Sequence, residues 1–160
     1  MITTEWEERL AEAWARLDDL PEPEFLMLIE KLVEELAPDH PVALFERACA
    51  LDSTGHSDLA VPLYERALER GLPGIRRRRA AIQLASSLRN VGDVPRSIAI
   101  LEQEREAPSD ELDDALAAVY ALSLTAGGRE REAVAVALTA LAPHLPRYQR
   151  STANYARLLR

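Results

Sequence analysis

Apolar residues recur along this chain three and four positions apart, the spacing of one face of a helix, and nowhere alternate over the length of a strand. Thr4-Glu5-Trp6-Glu7 reads as a capping box, whose hydroxyl and carboxylate satisfy orphan backbone N–H groups at a helix start. Trp6, Leu10, Trp14 and Leu17 follow as one stripe. Beyond the turn at Leu20-Pro21-Glu22-Pro23, a second stripe runs through Phe25, Leu28, Ile29, Leu32, Val33 and Leu36, stopped near Pro38 and Pro41. The pattern predicts a helical hairpin over residues 1–40.

From Pro41 onward the pattern repeats. Gly55, Gly92 and Gly128 each separate two apolar helices, at intervals of 37 and 36 residues, a period that signals stacked helix pairs. Aligned on those glycines, Leu44, Ala48, Leu51, Ala60, Tyr64 and Ala67 of the first unit match Ala81, Ala85, Leu88, Ser97, Leu101 and Glu104 of the second. The third unit supplies Ala117, Ala121, Leu124, Ala133, Ala137 and Ala140. This alternation of small and large positions resembles the tetratricopeptide repeat, and the chain as a whole is most similar to the bacterial group 5 branch of that family. Ser97 and Glu104 depart from the alanines the pattern expects, and the units run a few residues beyond the family's usual length.

The predicted repeats span residues 41–75, 76–108 and 109–145, and a last helix over residues 146–160 has no following partner. Its Tyr148, Thr152, Tyr155 and Leu159 share one face, as expected of a helix that covers the final apolar surface of an array. Pro95 is harmless in a first turn, whereas Pro62 is placed to bend its helix. The expectation is a single all-α domain of nine helices, and the resemblance implies a right-handed α-solenoid of antiparallel helix pairs.

Composition agrees. Ala, Leu, Glu and Arg dominate, and 48% apolar content over 160 residues suffices for one extended core. Arginine outnumbers lysine 18 to 1, a bias that suggests a GC-rich bacterial source. The single cysteine, Cys49, excludes an internal disulfide and fits a reducing cytoplasm. No apolar run approaches the length of a membrane span, and the N-terminal residues are acidic where a signal peptide is basic, so no membrane association is expected.

Candidate chemistry is sparse. His40, His56 and His144 fall in separate turns without metal-pair spacing. Cys49 reads as a small buried residue, and the adjacent carboxylates Glu34-Glu35 and Asp113-Asp114 point in different directions on a helix. Gly71-Leu72-Pro73-Gly74 lacks the lysine and hydroxyl of a phosphate loop. No catalytic residue, cofactor or metal is expected, and an enzyme is not.

Charge is the stronger signal. Residues 1–41 carry a net -9 and residues 42–75 carry -2, but residues 76–108 carry +3. Helical periodicity aligns Arg79, Gln83, Ser86, Arg89 and Asn90 on one polar stripe. Arg76, Arg77 and Arg78 taken singly read as solvating charge. The four-arginine run has no interleaved aromatics and the chain is acidic, with a pI of about 5.0, so no nucleic acid partner is expected.

The resemblance implies that the first helix of every unit lines a concave groove. Its groove-facing positions are then Val42, Phe45, Cys49 and Asp52, then Arg79, Ile82, Ser86, Arg89 and Asn90, then Ala115, Ala118, Leu122 and Thr125. The terminal helix adds Arg147, Arg150, Asn154 and Arg157. The family's two-carboxylate clamp needs lysine and asparagine where this chain has Phe45 and Cys49, so that specificity does not carry over. An apolar patch at Phe45 flanked by guanidinium groups suits a peptide or protein segment bearing a carboxylate or phosphate. Two other readings stay open. One is self-assembly, pairing the acidic hairpin with its Trp6 and Trp14 against the basic middle repeat. The other is a regulatory domain sensing a small molecule or signalling peptide.

Overall fold

The computed structural model describes residues 2–159, and among them every regular element is helical. The chain divides into two compact units, residues 1–80 and 81–160. The first holds α1 (Thr4–Trp14), α2 (Glu22–Val33), α3 (Pro41–Ser53), α4 (Ser57–Glu69) and the opening turns of α5 (Gly74–Asn90). The second holds the rest of α5, then α6 (Val94–Arg105), α7 (Asp113–Ala126), α8 (Glu130–Leu141), a 3-10 turn (Ala142–His144) and α9 (Gln149–Arg157).

The three periodic glycines explain the hairpins. Gly55, Gly92 and Gly128 all take positive φ, 91°, 91° and 73°, which costs a residue with a Cβ about 1–2 kcal/mol. In each turn the residue after the glycine donates its N–H back across the helix end, His56 to Leu51, Asp93 to Leu88 and Arg129 to Leu124, at 2.8–2.9 Å. These are Schellman closures, and they satisfy carbonyls that the helix leaves open.

In the first unit, α3 packs chiefly on α4 and α1 on α2. Phe25, Ile29, Val33, Leu44, Phe45 and Tyr64 are essentially inaccessible, and Trp14 meets Phe25 edge-on at 5.3 Å. The buried Trp6 indole donates to the Leu32 carbonyl at 2.9 Å, satisfying its one polar atom. Helix α1 starts one residue earlier than the capping-box reading: the Thr3 hydroxyl, not that of Thr4, accepts from the Trp6 N–H. Pro62 faces solvent, and α4 runs unbroken past it.

In the second unit, Ile82, Ala85, Leu101, Leu116, Tyr120, Leu124 and Val136 form the core. Ser97, a departure from the expected alanine, is fully buried and satisfied. Its hydroxyl lies 2.6 Å from the Ala85 carbonyl and 2.8 Å from the Ser123 hydroxyl, a small side chain that ties α6 to its neighbours where they approach closely.

Helix α9 packs on α8 and the 3-10 turn, but not by the face its sequence suggests. Tyr148 and Tyr155 are 76% and 68% exposed, while Ala156 is buried and Thr152, Ala153 and Leu159 are partly covered. Tyr148 sits just before the helix at φ 69°, outside its register, and α9 seats itself through the small Ala156. The bulky residues of this helix therefore point to solvent.

Candidate partner-binding site

The first unit has a pocket of about 210 Å³ built by α1, α3 and the start of α5, lined by Glu7, Leu10, Ala11, Trp14, Glu46, Arg76 and Arg79. Glu46 is at its floor, 2% exposed. The carboxylate is held from two sides, by the Trp14 Nε1–H at 3.0 Å and the Arg76 Nε–H at 3.0 Å. Arg76 also forks onto Glu7, Nη1 to Oε1 at 2.9 Å and Nη2 to Oε2 at 2.6 Å. Burial pushes the Glu46 carboxyl above its ordinary value against the pull of Arg76 and Trp14, whereas the hydrogen bond from Arg76 holds Glu7 below its own. Arg76 is thus a staple joining three helices.

Arg79 is different. It is exposed, and its guanidinium carbon stands 5.2 Å from the centroid of the Phe45 ring. That cation–π contact is worth about 0.5–1 kcal/mol at an exposed site.

Several groove expectations need correction. Phe45 is fully buried against Tyr64 and is the platform beneath Arg79, not an apolar contact surface. Val42 and Cys49 are core residues too, and Asp52 accepts from the Ser57 hydroxyl at 2.8 Å. Ile82 belongs to the core of the second unit, because it shares a face of α5 with Ala85. Arg76 is consumed by carboxylates and Arg78 is buried, so of the arginine run Arg77 and Arg79 are the exposed members. With Trp6 buried as well, the pairing of hairpin and middle repeat between copies loses these surfaces.

The second unit does assemble part of the polar stripe. Arg89 Nη2 donates to the Ser86 hydroxyl at 3.3 Å and the Asn90 side-chain oxygen at 3.0 Å, and its Nη1 is shielded from water without a hydrogen bond. Gln83 is half-buried. On α7, Ala115, Ala118, Leu122 and Thr125 are exposed. Arg150 and Asn154 are exposed on α9 and line a shallow depression of about 540 Å³.

The residues that sequence reasoning missed are Glu46 and Trp14. Glu46 falls on the same face as Val42 and Cys49, four and three residues away, and is a lone acid between apolar neighbours, which is a readable signal. Each histidine has a local role: His40 caps α3 through Nδ1, His56 pairs with Glu22, and His144 pairs with Asp114. Among the described residues no group of acidic, histidine or cysteine side chains could hold a metal ion. Among the described residues no helix is long and apolar enough to cross a membrane.

These helix pairs, with their glycine closures and small-residue contacts, define a helical-repeat protein of the all-α solenoid class. Two solved structures share the fold, both of a kinesin light chain-like protein from Podosopora anserina with nearly identical TPR-like repeats, one of them a substituted form of the other. Each superposes with a TM-score of 0.71 over 97% of this chain and 86% of that chain, at 18% and 19% identity. No curated protein matches the sequence. The Tetratrico peptide repeat family model matches residues 41–159, and the chain belongs to that family. Repeats of this family generally mediate protein–protein interaction and are typically scaffolds rather than catalysts.

Proposed function

We propose that this protein is a non-catalytic interaction module that binds a peptide or protein segment through an acidic group engaged by Arg79. The observation that supports this reading is the contrast inside one pocket. Glu7, Glu46 and Arg76 hold one another, while Arg79 is exposed and steadied by Phe45. A guanidinium held this way meets a carboxylate with little further loss of side-chain freedom. In the second unit, Arg89 with Ser86 and Asn90 offers a second cationic contact, and Arg150 and Asn154 a third. The partner is a protein, and the compartment expected is the cytoplasm.

The test is fluorescence anisotropy against a library of labelled peptides, with Arg79→Glu and Arg89→Glu as variants. Acid-bearing peptides should bind the wild type and lose roughly tenfold or more in affinity with Arg79→Glu, the effect of one charge-assisted contact. Binding that ignores acidic content, or survives both substitutions, removes the proposal. A thermal shift produced by small metabolites but not by peptides would favour the sensing alternative instead.

A further inference from the structure

Helix α9 carries charge and bulk that its own unit does not use. From residue 133 to the end of the sequence there is no aspartate or glutamate, but there are four arginines. Among the described residues no carboxylate lies in ion-pair distance of Arg147, Arg150 or Arg157, and Arg157 bonds only to the Asn154 amide oxygen. Tyr148, Tyr155 and Leu158 stand 76%, 68% and 73% exposed beside them. Tyr148 precedes the first turn of α9, and Tyr155 and Leu158, three residues apart, fall on neighbouring exposed positions near its end. Tyrosine and arginine are the side chains enriched at the centres of protein interfaces.

The complement to this surface is in the first hairpin. Residues 1–41 carry a net -9, and α1 exposes Glu5, Glu8 and Glu12 in a stripe. In the same hairpin, an open pocket of about 240 Å³ is formed by the α1–α2 connection and α2, lined by Leu20, Met27 and Leu28 with Arg16, Glu24 and Lys31. Met27 is 56% exposed. Arg16 faces Asp19.

We infer that α9 of one copy docks on the first hairpin of a second copy, its tyrosines and Leu158 meeting Leu20, Met27 and Leu28 while Arg150 and Arg157 face the α1 acids. The two surfaces differ, so the contact is head-to-tail: a pair of copies keeps one α9 and one hairpin unused. This inference goes beyond the peptide-binding reading and stands or falls without it.

Sedimentation equilibrium tests it directly. The wild type should associate as concentration rises, and 0.5 M salt should weaken the association, because opposite charges at a solvated rim are screened. Two variants remove one surface each: Arg150→Glu with Arg157→Glu spoils α9, and Met27→Glu spoils the hairpin. All three positions are exposed, and circular dichroism checks that the helices survive. Each variant alone should remain monomeric where the wild type associates, with the association constant down roughly tenfold or more. Mixed together they should form a one-to-one dimer and nothing larger, since one good α9 and one good hairpin remain. A wild type that stays monomeric at every concentration overturns the inference. So does association unaffected by either variant, or a mixture that stays monomeric while the wild type associates.

Discussion

Replacing Arg76 with methionine keeps the aliphatic stem and removes the guanidinium that joins α1, α3 and α5. The loss divides into two parts of different size. The pair with Glu7 sits where that carboxylate's side chain is 39% exposed, so its removal costs under about 1 kcal/mol. Glu46 is the larger part, because its side chain is 3% exposed and would keep only the Trp14 indole. A buried acid left this way can escape by taking up a proton. From an ordinary value of 4.5, protonation at pH 7 costs about 3.4 kcal/mol, a ceiling on the Glu46 contribution. Arg76→Met is therefore expected to cost about 2–4 kcal/mol at pH 7, at or just below the roughly 3–5 kcal/mol typical of breaking a buried pair because the Glu46 part has this ceiling.

The sign with pH follows. Burial already raises the Glu46 carboxyl, and removing Arg76 raises it further. A raised acid holds its proton in the folded state, so the variant loses stability as pH rises above the ordinary carboxylate value and recovers as pH falls to about 4.5. Both tryptophans, Trp6 and Trp14, lie in the first unit, so urea unfolding followed by tryptophan fluorescence reports on the unit concerned. Adding Glu46→Gln to Arg76→Met should restore most of the loss at pH 7, because an amide accepts from Trp14 without a charge to bury. A loss below about 1 kcal/mol, a loss equal at pH 7 and 4.5, or no rescue by the double variant would refute the reasoning.

Other perturbations separate backbone from packing effects. Gly128→Ala should cost about 1–2 kcal/mol in denaturant unfolding because its φ is 73°, whereas the neighbouring Gly127→Ala, with φ of -87° and only the flexible end of Ile98 at 3.0 Å, should cost less. Ser97→Ala should lose about 1 kcal/mol with its two hydrogen bonds, and Ser97→Val about 1–3 kcal/mol more as the branched side chain crowds the close approach of α6, both read by circular dichroism melts. Arg79→Ala should change unfolding by no more than about 1 kcal/mol, since it forfeits the exposed contact with Phe45 and a Coulombic attraction to Glu46 weaker than that of Arg76. A larger effect would mean that Arg79 serves the fold rather than a partner.

The repeat was legible because its determinants are local. Gly55, Gly92 and Gly128 mark turns that close on residues five positions back, and the small residues beside them recur with the same period. The site was less legible for two physical reasons. Adjacent residues on a helix differ by about 100° in direction, so Phe45 and Glu46 exchange roles between core and pocket on a shift of one position. Arg76 meets Glu7 across 69 residues, and no periodicity reports which of several neighbouring arginines will find a distant carboxylate. The terminal helix shows the same limit: of the four positions read as its covering face, Thr152 and Leu159 are partly covered, but the residue that seats α9 is Ala156, one position from Tyr155.

The glycine closures bear on how such a chain tolerates change. A turn that satisfies its own helix end within six residues needs no distant segment to specify it. Helix pairs closed in this way can form early and separately, which shortens the sequence distance over which native contacts must be found and favours fast folding. They can also be copied or deleted in whole periods of about 36 residues with each turn intact, whereas an insertion of a few residues within a helix would turn every following side chain away from its neighbour. Length variation in relatives of this chain should accordingly fall in steps of one helix pair or at the connections between pairs, such as Gly71-Leu72-Pro73-Gly74.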